Sequence, residues 1–207
     1  MLKIAVLISG SGSNLQAIID NIESGYLECS IEAVISDKKD VYGIERAKAK
    51  NIKTYVLDRK QYGSKISGEI LRIVDGKVDL IVLAGFLSIL QGELLSVFKN
   101  KMINIHPSLI PSFCGGGMYG IKVHEKAIEY GVKVSGCTVH IVDEETDAGP
   151  IIIQKVVEVY SDDSPKDLQL RILSQEHIAL SEAIKLISEK AIEIVGRKVL
   201  TIGKVEK

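Results

Sequence analysis

Residues 3–8, KIAVLI, place five apolar side chains in a row after one lysine. They lack the in–out alternation of a strand that is wet on one face, so the run predicts a strand covered on both sides. The next segment has a different period. In SNLQAIIDNIESG (13–25), Leu15, Ile18, Ile19 and Ile22 recur at helical spacing until Gly25 stops them. The same two periods then alternate. IEAVIS (31–36), KTYVL (53–57), VDLIVLAG (78–85) and KMINIH (101–106) read as strands. GIERAKAKN (43–51), SKISGEILRIVDGK (64–77) and GELLSVFKN (92–100) read as helices, the second weakened by Gly68.

Strand–helix alternation over about half the chain restricts the fold to α/β, with an open, mostly parallel, doubly wound (Rossmann-like) sheet flanked by helices. Ligands of such sheets sit beyond the carboxyl ends of the strands. The second half changes character. A Gly/Pro-rich loop, PSLIPSFCGGGMYG (107–120), precedes a helix at 121–131. Strands at 133–142 and 150–159 flank the acidic turn DEETDAG (143–149). A long C-terminal helix spans 164–190 and opens with a capping box of Ser164 as N-cap, Pro165 in the first position and Asp167 three residues on. Residues 192–202 read as a terminal hairpin about Gly196.

Composition removes several functional classes. Lysine and arginine number 26 against 27 acids, a net charge of -1, which gives no general attraction to nucleic acid or to anionic lipid. An anionic ligand therefore needs a local site. Three cysteines, Cys29, Cys114 and Cys137, lie far apart and form no Cys-x-x-Cys pair, which argues against a disulfide framework or a structural zinc. The N-terminal apolar run is a first strand rather than a signal peptide, and no run is long enough to span a membrane. The expectation is a soluble, cytoplasmic protein with small-molecule ligands and no nucleic-acid or membrane partner, monomeric or homodimeric.

Several residues carry chemistry. SGSGSN (9–14) joins the first strand to the first helix, and its glycines let backbone N–H groups approach an anion at the helix N-terminus. Phosphate binding, a dinucleotide site with Asp37 as ribose acid, and a plain tight turn all fit that loop, although Leu15 stands where the dinucleotide fingerprint has its third glycine. Asn104 and His106 lie two apart on a strand and point to one face. Pro107 keeps His106 extended. An amide and an imidazole suit carbonyl polarisation and proton transfer, or simply cap a strand end. Asp147 lies in a turn with Asp143, Glu144 and Glu145, either a solvated surface or a tight functional turn. Glu176 shares a helix face with Ile172, Leu180 and Ala183, so it needs an internal or ligand partner. His140 alternates with Val139 and Ile141 and reads as packed behind a site. His177 reads as a core histidine. His124 opens a helix with no evident partner.

ISGSGSNLQAII (8–19), LAGFLSIL (83–90), NIHPSLIPSF (104–113), GCTVHIVDEETDAGPII (136–152) and SQEH (174–177), in that order, resemble the glycinamide ribonucleotide formyltransferase family, which uses 10-formyltetrahydrofolate in purine synthesis. The resemblance covers nearly the whole chain. It implies one formyltransferase domain over 1–207, with a nucleotide-binding half (1–105) and a folate-binding, catalytic half (106–207). By that resemblance Asn104, His106 and Asp147 are the catalytic trio, with a protonated His106. Gly12, Ser13, Asn14 and Lys65 hold the ribonucleotide phosphate, and Glu176 contacts the glycinamide. Leu87, Ser88, Ile89 and Leu90, with Asp143, Glu144, Glu145 and Thr146, grip the pterin largely by backbone. His140 supports the trio, and no metal is implied. Two positions depart from some members: Lys65 replaces an arginine and loses its fork, and Ser88 replaces an arginine, so a folate contact is missing. Methionyl-tRNA formyltransferases and formyltetrahydrofolate hydrolases resemble the chain too. They add a C-terminal nucleic-acid-binding or an N-terminal regulatory domain, respectively, and the expectation is that this chain, with its balanced charge and its opening strand, is neither.

Overall fold

The computed structural model describes residues 1–202. The chain divides into two compact units, Met1–Asn104 and Ile105 onward.

The first unit alternates strands and helices: β1 (Leu2–Ile8), α1 (Ser13–Glu23), β2 (Cys29–Ser36), α2 (Tyr42–Ala49), β3 (Thr54–Val56), α3 (Arg59–Tyr62), α4 (Ile66–Val74), β4 (Leu80–Leu83), α5 (Glu93–Val97) and β5 (Met102–His106), whose last two residues pass the division. The strands lie in the order β3-β2-β1-β4-β5, and every pair is parallel. Ile4 to Ile8 and Ile81 to Val82 have no exposure, as their unbroken apolar runs require. Each such side chain contributes roughly 1.5–3 kcal/mol by leaving water. The chain runs outward from β1 to β2 and β3, then returns to the other side of β1 as β4. The loops after β1 and β4 therefore lie at the topological switch point, where open α/β sheets bind ligands.

One helix differs from the expectation. The segment read as a single helix over 64–77 forms a 3₁₀ turn and a shorter helix that ends at Val74, and a separate one-turn helix precedes it. Asp58 caps a single turn, Arg59–Tyr62, by accepting from the Lys60 N–H (3.0 Å). Gly63, at φ 50°, then interrupts the helix, and a 3₁₀ turn, Gly63–Lys65, leads into α4.

The second unit holds α6 (Ile121–Tyr130), β6 (Val134–Ile141), β7 (Ile151–Glu158), α7 (Pro165–Ser188) and the terminal hairpin β8 (Ile192–Val195) and β9 (Lys198–Thr201). Its strands lie in the order β6-β7-β9-β8. The antiparallel β6–β7 ladder slips between Val139 and His140, a bulge that re-aims the side chains following it. The capping box of Ser164 and Asp167 is present, with Pro165 at the start of α7. Leu168, Ile172, Leu180 and Ile184 are buried where α7 packs on β6 and β7. No described helix is long and apolar enough to cross a membrane.

Candidate active site

The end of β5 carries the polar pair that no strand core needs. Asn104 is half-buried, and His106, two residues on, is 5% exposed. Their spacing puts both side chains on one side of the strand. A carbonyl oxygen only accepts, so the His106 Nε2–H donates to the Phe113 carbonyl (3.0 Å). That leaves Nδ1 facing Asp147 Oδ2 at 3.5 Å. Asp147 accepts from the Gly115 N–H at 2.9 Å through the same oxygen. Its other oxygen lies 3.7 Å from Nε2 of His140, whose Nδ1–H donates to the Ile141 carbonyl (2.9 Å). Asp147 thus stands between two imidazoles, and the bulge at His140 helps to aim one of them.

The electrostatics of the trio are opposed. Burial pushes the His106 pKa down, while the Asp147 charge and the Phe113 carbonyl pull it up and His140 pushes it down again; the net is below the ordinary histidine value. A lowered pKa favours the neutral ring, in contrast to the protonated His106 that the resemblance implies. For Asp147, burial alone would raise the pKa. The His140 hydrogen bond, the electrostatic pull of the His106 imidazole and the Gly115 N–H outweigh it and hold the carboxyl below its usual range.

The backbone is strained at this point. Asp147 has φ 56° and Phe113 has φ 49°, left-handed values that side chains rarely adopt. The turn also needs Gly149, because a Cβ there would collide with the Ile141 carbonyl. Residues Asp143 to Thr146 are exposed, and the Glu145 N–H donates to Asp143 Oδ1 (3.1 Å).

In the first unit the loop after β1 enters α1 through Gly12, at φ 71°. A Cβ on Gly12 would sit 2.6 Å from the Gly43 Cα. This close seat is fixed by the Gly43 N–H to the Gly10 carbonyl (3.1 Å) and by Arg46, whose Nε–H donates to the Ser11 carbonyl (2.9 Å) and Nη1–H to Gln16 Oε1 (3.0 Å). Ser13 and Asn14 form the first helical turn, where backbone N–H groups favour an anion. Arg46 was missed by the sequence reading. Its only signal is a cation three residues after a helix-opening glycine.

The loop after β4 is tied to β1. The Ser9 N–H donates to the Gly85 carbonyl (3.0 Å), and Ser9 Oγ accepts from the Leu87 N–H (2.8 Å). Leu87 and Ile89 are exposed, 44% and 73%, while Leu90 is buried. Ser88 donates to Asp37 Oδ2 (2.6 Å). Asp37 is wholly buried and already engaged, which removes it as a free ribose-binding acid. Lys65 is exposed on the 3₁₀ turn, and that turn is tied to the same loop. Gln91 donates from its backbone to Ser67 Oγ (3.0 Å) and from its side chain to the Ser64 carbonyl (3.5 Å).

On α7, Glu176 is half-buried beside the buried Ile172 and Leu180 rather than fully enclosed. It lies over β6. The Cys137 thiol is pushed up to about 12, by burial first and then by the Glu176 charge. His177 is half-buried. His124, in the first turn of α6, is 2% exposed, and its Nδ1 has no hydrogen bond among the described residues. Burial, then the charges of His106 and Lys166, push it down to about 4.

Residues 2–184 match the formyl transferase family. Across 209 residues the chain is 39% identical to the phosphoribosylglycinamide formyltransferase of Haemophilus influenzae, covering 99% of this chain and 95% of that one. The chain belongs to the phosphoribosylglycinamide formyltransferase family. The family fold is seen in the crystal structure of glycinamide ribonucleotide transformylase 1 from Symbiobacterium toebii, which superposes with a TM-score of 0.89 at 40% identity and covers 98% of this chain and 95% of that one. Members of the formyltransferase family also occur within longer proteins. The trifunctional purine biosynthetic protein adenosine-3 of Gallus gallus is 41% identical over 195 residues, which are 93% of this chain and 19% of that protein. The chain thus spans about a fifth of the length of such relatives.

Proposed function

We propose that the chain transfers the formyl group of 10-formyltetrahydrofolate to the primary amine of glycinamide ribonucleotide, a step of purine biosynthesis that takes place in the cytoplasm. The observation that carries the proposal is the pairing of His106 with Asp147 at 3.5 Å, two residues beyond Asn104 on β5. Family membership sets the reaction class, and the chemistry of these groups fits it.

The amine attacks the formyl carbon. A C–N bond forms, and the carbonyl π pair moves to oxygen, leaving an oxyanion and an ammonium. The Asn104 amide donates to the oxyanion. His106 is neutral before attack, so it can accept a proton as charge develops, and the Asp147 carboxylate then stabilises the imidazolium. The bond to N10 breaks, its electron pair stays on N10, and the proton shed by the amine goes to N10 through His106 or a water. The Phe113 carbonyl and Asp147 hold opposite edges of the ring, which fixes its plane without any help from substrate.

Gly12, Ser13 and Asn14 would receive the ribonucleotide phosphate on the first turn of α1. Glu176 would accept from the glycinamide. Leu87 to Leu90 and Asp143 to Thr146 would hold the pterin, mainly by backbone. Lys65 would supply a positive charge to one of the two anionic ligands. Formyl transfer assayed with the ribonucleotide, transfer RNA and water as competing acceptors tests the proposal. Transfer to the ribonucleotide is expected. Transfer to RNA, or formate release alone, would assign the chain to a sister activity.

A further inference from the structure

We propose that Asp37 is a positioning residue of the folate site: through Ser88 it fixes the backbone of 87–90. The inference rests on the reading that this segment holds the pterin.

Asp37 ends β2 with no solvent exposure. A buried carboxylate is costly unless its oxygens are satisfied. Oδ2 accepts from Ser88 Oγ at 2.6 Å and lies 3.9 Å from Nη1 of Arg59. Oδ1 has no hydrogen bond among the described residues. The one side-chain hydrogen bond of Asp37 among the described residues comes from one residue of one loop, 51 positions away.

That loop has few other anchors. Leu87 is tied through its N–H to Ser9, and Gln91 through its N–H to Ser67. Between them Leu87 and Ile89 point outward. Ser88 is half-buried, and its short hydroxyl could equally turn to water. A charge-assisted bond to Asp37 turns it inward, and such bonds are stronger than neutral ones. Recognition by backbone groups requires those groups to be held within about half an ångström of the productive geometry. The short Ser88 side chain thereby tethers the loop to the end of β2. The pair Asp37–Ser88 is thus a device of the loop's geometry rather than a ligand contact.

Steady-state kinetics of Ser88→Ala, Asp37→Asn and the double variant, with each substrate varied in turn, tests this. Ser88→Ala should raise KM for 10-formyltetrahydrofolate about tenfold, the effect of one lost bond to a charged group. KM for the ribonucleotide should stay within about twofold. Asp37→Asn keeps an oxygen that accepts from Ser88, so its folate KM should stay within about threefold, and the double variant should be no worse than Ser88→Ala. A folate KM within about twofold of wild type in Ser88→Ala, or equal rises in both KM values, overturns the proposal. So does an Asp37→Asn defect that adds to that of Ser88→Ala. Should Asp37→Asn not fold, the half-buried Ser88→Ala decides alone. A wild-type chain without formyl transfer would overturn the functional reading. Normal transfer with an unmoved folate KM in Ser88→Ala would overturn only the tether.

Discussion

His106 and Asp147 face each other at 3.5 Å, and each is held from behind: His106 by the Phe113 carbonyl, Asp147 by the Gly115 N–H. Both residues that meet the ring, Phe113 and Asp147, have left-handed backbones. The strained backbone at Asp147 and Phe113 preorganises the pair, so the ring need not search for its orientation when charge develops.

Asn104 has a narrower task. In the proposed mechanism it would stabilise charge on the formyl oxygen and take no part in proton transfer. Asn104→Ala should lower kcat by roughly 10²–10³, the usual cost of losing one oxyanion donor. Both KM values should change little. A loss of under about threefold would remove Asn104 from the mechanism.

Glu176 tests how the substrates are divided between segments. Glu176→Gln should weaken ribonucleotide binding by about tenfold and leave folate affinity nearly intact, since one charge-assisted bond becomes neutral. Calorimetric titration of each ligand measures this. Equal losses for both would make Glu176 a structural acid of α7.

Lys65 was expected at the ribonucleotide phosphate. Its turn, however, is hydrogen bonded to Gln91, directly beyond the 87–90 segment. Lys65→Ala should therefore raise KM for 10-formyltetrahydrofolate, whose glutamate tail is anionic, with kcat little changed. The effect should be about 1 kcal/mol or less and shrink with added salt, as for an exposed charge. Kinetics at two ionic strengths reads both features. A rise confined to the ribonucleotide KM would return Lys65 to the phosphate.

His124 makes stability depend on pH. Its pKa falls from 6.5 to about 4 on folding, because the buried ring resists charge. Above pH 6.5 the ring is neutral in both states and costs nothing. As pH falls from 6.5 toward 4, the unfolded chain takes the proton and the folded chain does not, so stability is lost over that window, by at most about 3 kcal/mol. Urea denaturation at pH 7 and pH 4.5 should show the loss in the wild type and a smaller one in His124→Gln. Equal slopes in the two proteins would show that His124 titrates normally in the fold.

Much of this was legible before the fold was known. The unbroken apolar run of β1, the capping box at Ser164 and Asp167 and the hairpin about Gly196 are local patterns, and local physics decides them. The polar end of β5 stood out because Asn104 and His106 had no place in a strand core. What the sequence hid depends on distant partners. Asp37 meets Ser88 across 51 residues, and nothing in either segment announces the other. The Phe113 carbonyl reaches His106 only because the 107–120 loop folds back, and loop conformation of that length is set by tertiary contacts. The short helix Arg59–Tyr62 was missed because a single turn capped by Asp58 is too short to show a period. The downward pull on the His106 pKa was hidden because burial outweighs its carboxylate neighbour, and burial is not visible in a motif.

The rate of Asp147→Asn, with both substrates saturating and the chemical step followed in a single turnover, bears on the whole mechanism. The amide keeps the shape of the carboxylate and removes the charge that stabilises the His106 imidazolium. The rate should fall by roughly 10²–10⁴, the range supplied by general acid–base catalysis, with both KM values within about threefold of wild type. A rate within about threefold of wild type would show that formyl transfer proceeds without the His106–Asp147 pair.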